Sequence, residues 1–160
     1  MRRFSFRQRR LARGGDLRVA YYSPLPPERT GIAAYSALLL PALQRRLEVE
    51  PVRRGAPAPR AHVALYHVGN NPDGHAWIVE ALRLRPGVVV LHDYVLHHLI
   101  AGMTLGRGDA EGYLRALEGE AGLAARLLAY GVIDGRVPPL WESRPHEFPL
   151  AGPILEAATG

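Results

Sequence analysis

Four apolar residues in succession, Val88-Val89-Val90-Leu91, stop abruptly at the polar pair His92-Asp93. No other stretch constrains the fold as much. β-Branched residues without polar alternation describe a strand buried on both faces of a parallel sheet. Such a strand is not reached by a tight hairpin; the chain must cross over first, usually through a helix. The residues before it supply that crossover. His75 to Leu84 has helical periodicity through Ala76, Val79, Ala81 and Leu82, and Pro86-Gly87 closes it. Upstream, His62 to Val68 alternates and is partly β-branched, and Gly69-Asn70-Asn71-Pro72-Asp73-Gly74 is a turn cluster.

The same unit occurs once more, nearer the start. Leu17 to Tyr22 reads as a strand that Ser23-Pro24-Leu25-Pro26-Pro27 ends, and Gly31 to Leu47 follows with helical spacing and Thr30 as its N-cap. Pro41 should bend that helix, because it removes a backbone donor and crowds the preceding turn. Glu48 to Arg53 reads as a further strand, and Gly55 to Arg60 as an irregular linker. After Tyr94 no strand is evident. Tyr94 to Met103 and Asp109 to Tyr130 read as helices, the second loosened by Gly112, Gly119 and Gly122. Ile154 to Gly160 reads as a helix leading into another strand of the same domain. Strands alternating with helices predict an α/β domain, a Rossmann-like parallel sheet flanked by helices, whose right-handed crossovers bring the strand-to-helix loops to one edge.

Charge divides the chain into residues 1–15, a basic flexible tail, and residues 16–160, the domain. The net charge is +5, but six of the twenty Arg lie between Arg2 and Arg13, so Gly14 to Gly160 carries fourteen Arg against fifteen acids, a net of −1. A body this close to neutral is not a nucleic-acid surface, and no specific nucleic acid is expected as a partner. The tail reads either as a weak electrostatic tether to anionic lipid or RNA, or as a plain disordered extension. No apolar run of membrane-spanning length is present, and the basic start lacks the apolar stretch of a secretory signal. The expected location is cytoplasmic, peripheral at the inner membrane face at most. With no cysteine, disulfides, thiolate metal sites and cysteine nucleophiles are all excluded.

In an open parallel sheet, ligands bind beyond the carboxyl ends of the strands. Three loops should therefore converge: Ser23 to Gly31, Gly69 to Gly74, and His92-Asp93-Tyr94. At Gly31 free helix-start amides without side-chain bulk allow a phosphate oxygen close approach, although the glycine can equally serve the turn alone. The loop is neither a Walker loop nor a GxGxxG fingerprint. His92 can hydrogen-bond a ligand hydroxyl or act as acid or base, with Asp93 orienting it; alternatively Asp93 caps the next helix and His92 is structural. Asn70 and Asn71 are either turn formers or amides for a sugar. A metal reading would combine His97 and His98 with His92, Asp93 and His67. Adjacent histidines point to different helix faces and no compact ligand spacing emerges, so no metal is expected.

With those residues in view, the chain resembles the amino-terminal domain of the retaining GT-B glycosyltransferases, glycosyltransferase family 4 or group 1. Arg18 to Tyr22 followed by Ser23 to Ser36, reading Ser-Pro-Leu-Pro-Pro-Glu-Arg-Thr-Gly-Ile-Ala-Ala-Tyr-Ser, resembles the family's first strand, glycine-bearing loop and first helix. Val88 to Tyr94 resembles its strand ending in a His-Asp pair, and the likeness spans about Leu17 to Gly160. The resemblance implies transfer of a sugar from a nucleotide-sugar donor to an acceptor with retention, without a metal and with no cofactor beyond the donor as substrate. It implies that Gly31 and Thr30 meet the donor phosphates, that His92 and Asp93 are catalytic, His92 touching the transferred sugar, and that Asn70, Asn71 and Tyr35 meet the acceptor, a glycan, lipid or small molecule. Many members carry two glycines where this chain has Thr30 before Gly31. The donor-binding domain that the family places next is the expected missing partner, so the chain reads as a truncated frame, catalytically silent alone. A free-standing, non-catalytic binding module is the other expectation.

Overall fold

The computed structural model describes residues 17–159. The elements run β1 (Arg18–Tyr22), α1 (Gly31–Gln44), β2 (Glu48–Val52), β3 (Val63–Val68), α2 (Pro72–Leu84), β4 (Val88–Leu91), α3 (His97–Met103), α4 (Ala110–Ile133), α5 (Leu140–Ser143) and α6 (Gly152–Ala157), with a 3-10 turn at Leu105–Arg107. The basic tail predicted for residues 1–15 lies outside the described residues. Among those described, no helix is long and apolar enough to cross a membrane.

The four strands form one parallel sheet in the order β2-β1-β3-β4, with Tyr22 beside both Val52 and Tyr66, and Val68 beside Leu91. This is the Rossmann-like α/β class that the strand and helix alternation predicts. From β1 the chain moves outward to β2, then returns past β1 to β3 on its other side. The order therefore reverses between β1 and β3, and a crevice opens above the carboxyl ends at that point.

Two cores follow from the two-residue period of the strands. Val19 and Tyr21 pack with Val49 against Leu39, Leu40 and Leu43 of α1. Ala20, Tyr22, Ala64, Tyr66 and Val68 point to the opposite face, where Ile78, Val79 and Leu82 of α2 and Leu99 and Ile100 of α3 cover them. The rings of Tyr22 and Tyr66 stack there at 4.6 Å.

One expectation is overturned. The Val88 run is not buried on both faces: Val88 is exposed and Val89, Val90 and Leu91 are only partly covered. Strand order explains this, because β4 pairs with β3 alone along its length, while the two central strands are the more polar-looking β1 and β3. Only its start is met from outside, where Ala158 bridges Gly87 in the parallel sense and the Thr159 amide donates to the Gly87 carbonyl at 2.9 Å. That contact follows α6, as the helix-then-strand pattern near the carboxyl end predicts.

Other boundaries shift. α2 begins at Pro72 inside the expected turn cluster, α3 begins only at His97, and α4 runs on to Ile133 with its axis broken at Ala121-Gly122, where Gly122 has φ 75°. α1 carries Pro41 in its interior and ends at Gln44. His97 is a core clamp: its Nδ1–H donates to the Phe148 carbonyl at 2.7 Å, and Nε2 accepts from the Tyr113 hydroxyl at 2.8 Å. Both nitrogens are thus committed to joining α3, α4 and the Phe148 segment. Trp141 packs at the same corner, 5.9 Å from the His97 ring.

Candidate functional site

The three loops predicted to converge do so. Thr30, Gly31 and Ile32 from the first, Asn70, Asn71, Gly74 and His75 from the second, and His92 and Asp93 from the third line one cavity of about 350 Å³. Its volume is at the small end of the roughly 300–1,000 Å³ usual for ligand sites.

Each loop is fastened by side chains at its own base. The Thr30 hydroxyl accepts from the Ala33 amide at 3.0 Å and so caps α1, which starts at Gly31. At Gly31, an added Cβ would meet nothing within 4 Å, and φ is not positive. Neither the turn nor the packing requires glycine there, which removes the turn as its explanation.

Asn71 is the N-cap of α2, its Oδ1 accepting from the Asp73 amide at 2.9 Å. Asn70 has a longer reach: its Oδ1 accepts from the Leu99 amide at 3.1 Å, capping α3, whose own N-cap position, Leu96, has no side-chain oxygen. Both amide oxygens are therefore engaged in capping, which leaves their NH₂ groups for a ligand. Asp93 does not cap the helix after it. Its Oδ2 accepts from the Asn70 amide at 2.9 Å, tying the loop after β3 to the loop after β4. Nor does it hydrogen-bond the His92 ring.

His92 N–H donates to the Val68 carbonyl at 2.8 Å, which extends the β3–β4 ladder by one bond and holds the residue at the rim. Its ring lies edge-on to Tyr35 at 5.0 Å. Its Nε2 is 2.9 Å from Nδ1 of His67, a residue with no accessible surface. His75, buried in the first turn of α2, directs Nδ1 at the His67 carbonyl at 3.2 Å. Burial pushes the His67 ring down to about 4, with the neighbouring His92 and His75 adding to the effect. Burial likewise lowers His75 and His92, against a partial rise from the Asp93 carboxylate. Three histidines at neutral pH are thus three uncharged rings.

Gly69 lies behind this lining, packed against three of its residues. A Cβ there would come 2.5 Å from Ile32 Cδ1, 3.0 Å from His75 Nε2 and 3.2 Å from Asp93 Oδ2. Every predicted site residue except Tyr35 lines the cavity, and Tyr35 stands against His92 beside it. His75 joins them unpredicted, passing in the sequence for a helix start, and Gly69, behind the lining, passes for turn chemistry. His67 appears in the sequence only as a remote metal ligand. Among the described residues no group of three or more His, Asp or Glu is gathered so as to hold a metal ion.

A second cavity, of about 320 Å³, lies between β2 and α2, lined by Tyr22, Arg53, Trp77 and Arg85 among others. Arg85 is already spent on the carbonyls of Pro59 and Ala61. That cavity does not collect the three loops, and the switch-point cavity is the better candidate on chemical grounds. The fold and the site thus define a Rossmann-like α/β domain with a polar crevice at its topological switch point. No family model, no curated protein and no solved structure matches the chain.

Proposed function

We propose that the chain is the acceptor-side half of a retaining GT-B glycosyltransferase, forming one wall of the cleft in which a nucleotide sugar donates to an acceptor. The observation that carries the proposal is that the turns bearing Gly31 and His92 lie side by side at the same rim of one parallel sheet. In this role the unobstructed backbone at Gly31, at the positive end of a 14-residue helix, meets the donor diphosphate. His92 meets the transferred sugar, and the NH₂ groups of Asn70 and Asn71, with Tyr35, meet the acceptor.

The charge of the cavity supports the same division of labour. Its lining holds one carboxylate, two neutral histidines and no Arg. A departing nucleoside diphosphate needs cations, and here those come from the opposite wall, a donor-binding domain.

Titration of the 160-residue chain with nucleoside diphosphate hexoses, followed by amide NMR, tests the site. Shifts centred on Gly31, Asn70 and His92 are expected. Shifts confined to the Trp77 cavity, or none at millimolar donor, overturn the assignment. With a donor-binding domain present, His92→Ala should slow release of nucleoside diphosphate by about 100-fold, the usual cost of one lost donor at a reacting centre. Equal release by the variant overturns the role of His92.

A further inference from the structure

His67 sits one layer beneath the cavity, outside its lining, yet among the described residues it is the only hydrogen-bond partner of the His92 ring. Two-residue alternation along β3 puts it on the α1 face, where the rings of Tyr21 and Tyr35 lie 4.8 and 5.9 Å away. Its Nδ1 is 2.9 Å from His92 Nε2, and its other nitrogen, Nε2, is buried without a hydrogen-bond partner.

Two ring nitrogens at that distance share one proton, so the tautomer of each ring dictates that of the other. If His92 Nε2–H donated, neutral His67 would carry its own proton on Nε2, as a buried N–H with no acceptor. If His67 Nδ1–H donates, Nε2 of His67 is a bare lone pair and His92 carries its proton on Nδ1. An orphaned N–H in a sealed interior is the rarer defect. The remaining titratable groups around the pair do not alter the choice. Asp93, after β4, is bound to the Asn70 amide; His75, on α2, faces the His67 carbonyl; the Tyr21 hydroxyl donates to Ser36. Tyr35, on α1, meets His92 through its ring.

We propose that His67 is a positioning residue that locks His92 in the Nδ1–H form, so that the cavity presents a neutral hydrogen-bond donor to a ligand oxygen and not a general base. The donor role rests on the site proposed above; the tautomer does not. His92 Nδ1 makes no hydrogen bond to any described residue, so it is the nitrogen left for a ligand. A sugar hydroxyl or a phosphate oxygen, each with lone pairs to offer, is the matching chemistry.

Long-range ¹H–¹⁵N spectra of the histidine rings in the unliganded chain at pH 7.5 read the protons directly. Expected are Nδ1–H on both His67 and His92; a proton on His92 Nε2 overturns the proposal. In His67→Asn the amide NH₂ replaces the Nδ1 donor and His92 should keep its form. In a folded His67→Leu protein the His92 proton should move to Nε2, and no change there also overturns the proposal. If the tautomers are as stated but no sugar nucleotide shifts His92, the site assignment fails alone. If the ligand shifts His92 and the proton is on Nε2, only the lock fails.

Discussion

Gly31 lines the cavity and Gly69 packs behind it, each glycine for the opposite reason, and substitution separates them. Alanine at Gly31 enters open space and restricts the unfolded chain, so the domain should gain about 0.5 kcal/mol in urea unfolding. The same variant places a methyl where a phosphate oxygen must approach, and diphosphate binding should fall about tenfold or more, about 1.4 kcal/mol. Alanine at Gly69 has no room: its Cβ would lie 2.5 Å from Ile32 Cδ1. Overpacking of that kind should cost about 1–3 kcal/mol, read by the same unfolding curves. Gly31 stands out in the sequence because a helix start follows it. Gly69 is hidden inside a turn cluster, since its neighbours Ile32, His75 and Asp93 come from three different segments.

Elements at the crevice are joined by their caps. Asn71 closes the first turn of α2, and its replacement by alanine should cost about 1 kcal/mol. Asn70→Ala should cost a similar amount, yet its amide exchange should rise at Leu99, on α3, and not within its own loop. Sequence suggests local turn chemistry for both residues, which fits Asn71, whereas Asn70 reaches across to α3. The sequence does not indicate which helix each oxygen serves, because Leu99 is far along the chain. The same limit applies to His97. Beside His98 it looks like half of a metal pair, whereas packing turns it inward between Phe148 and Tyr113.

At the scale of the molecule, the buried neutral histidines make the fold sensitive to acid. The folded pKa of His67 lies near 4 against 6.5 for a free ring, so between those values the unfolded chain binds the extra proton. Stability is then full above about pH 6.5 and falls as the pH drops toward 4, by about 3 kcal/mol from His67 alone. His75, His92 and His97 are lowered as well and act in the same direction. Urea midpoints at pH 7.5, 6 and 5 should fall steadily, and His67→Asn should flatten the slope. Midpoints that rise toward pH 5 would contradict neutral, buried rings.

The alternation of short apolar runs with 3.6-residue periodicity is a local property, so the sequence determines that this is a parallel α/β domain and that its polar loops share one edge. His92 is legible as the first polar residue after a strand, Gly31 as a helix start, and the asparagines as part of a turn cluster, all of them local signals. Strand order is not local. The partial exposure of β4 is not legible in the sequence, because an apolar run looks alike at the centre and at the edge of a sheet. His67 is buried against His92 only because β3 and β4 lie side by side in a given register, bringing together two rings that the sequence places 25 residues apart. Tertiary structure alone decides which face each ring shares and with whom, because hydrogen bonding between side chains depends on distance in space.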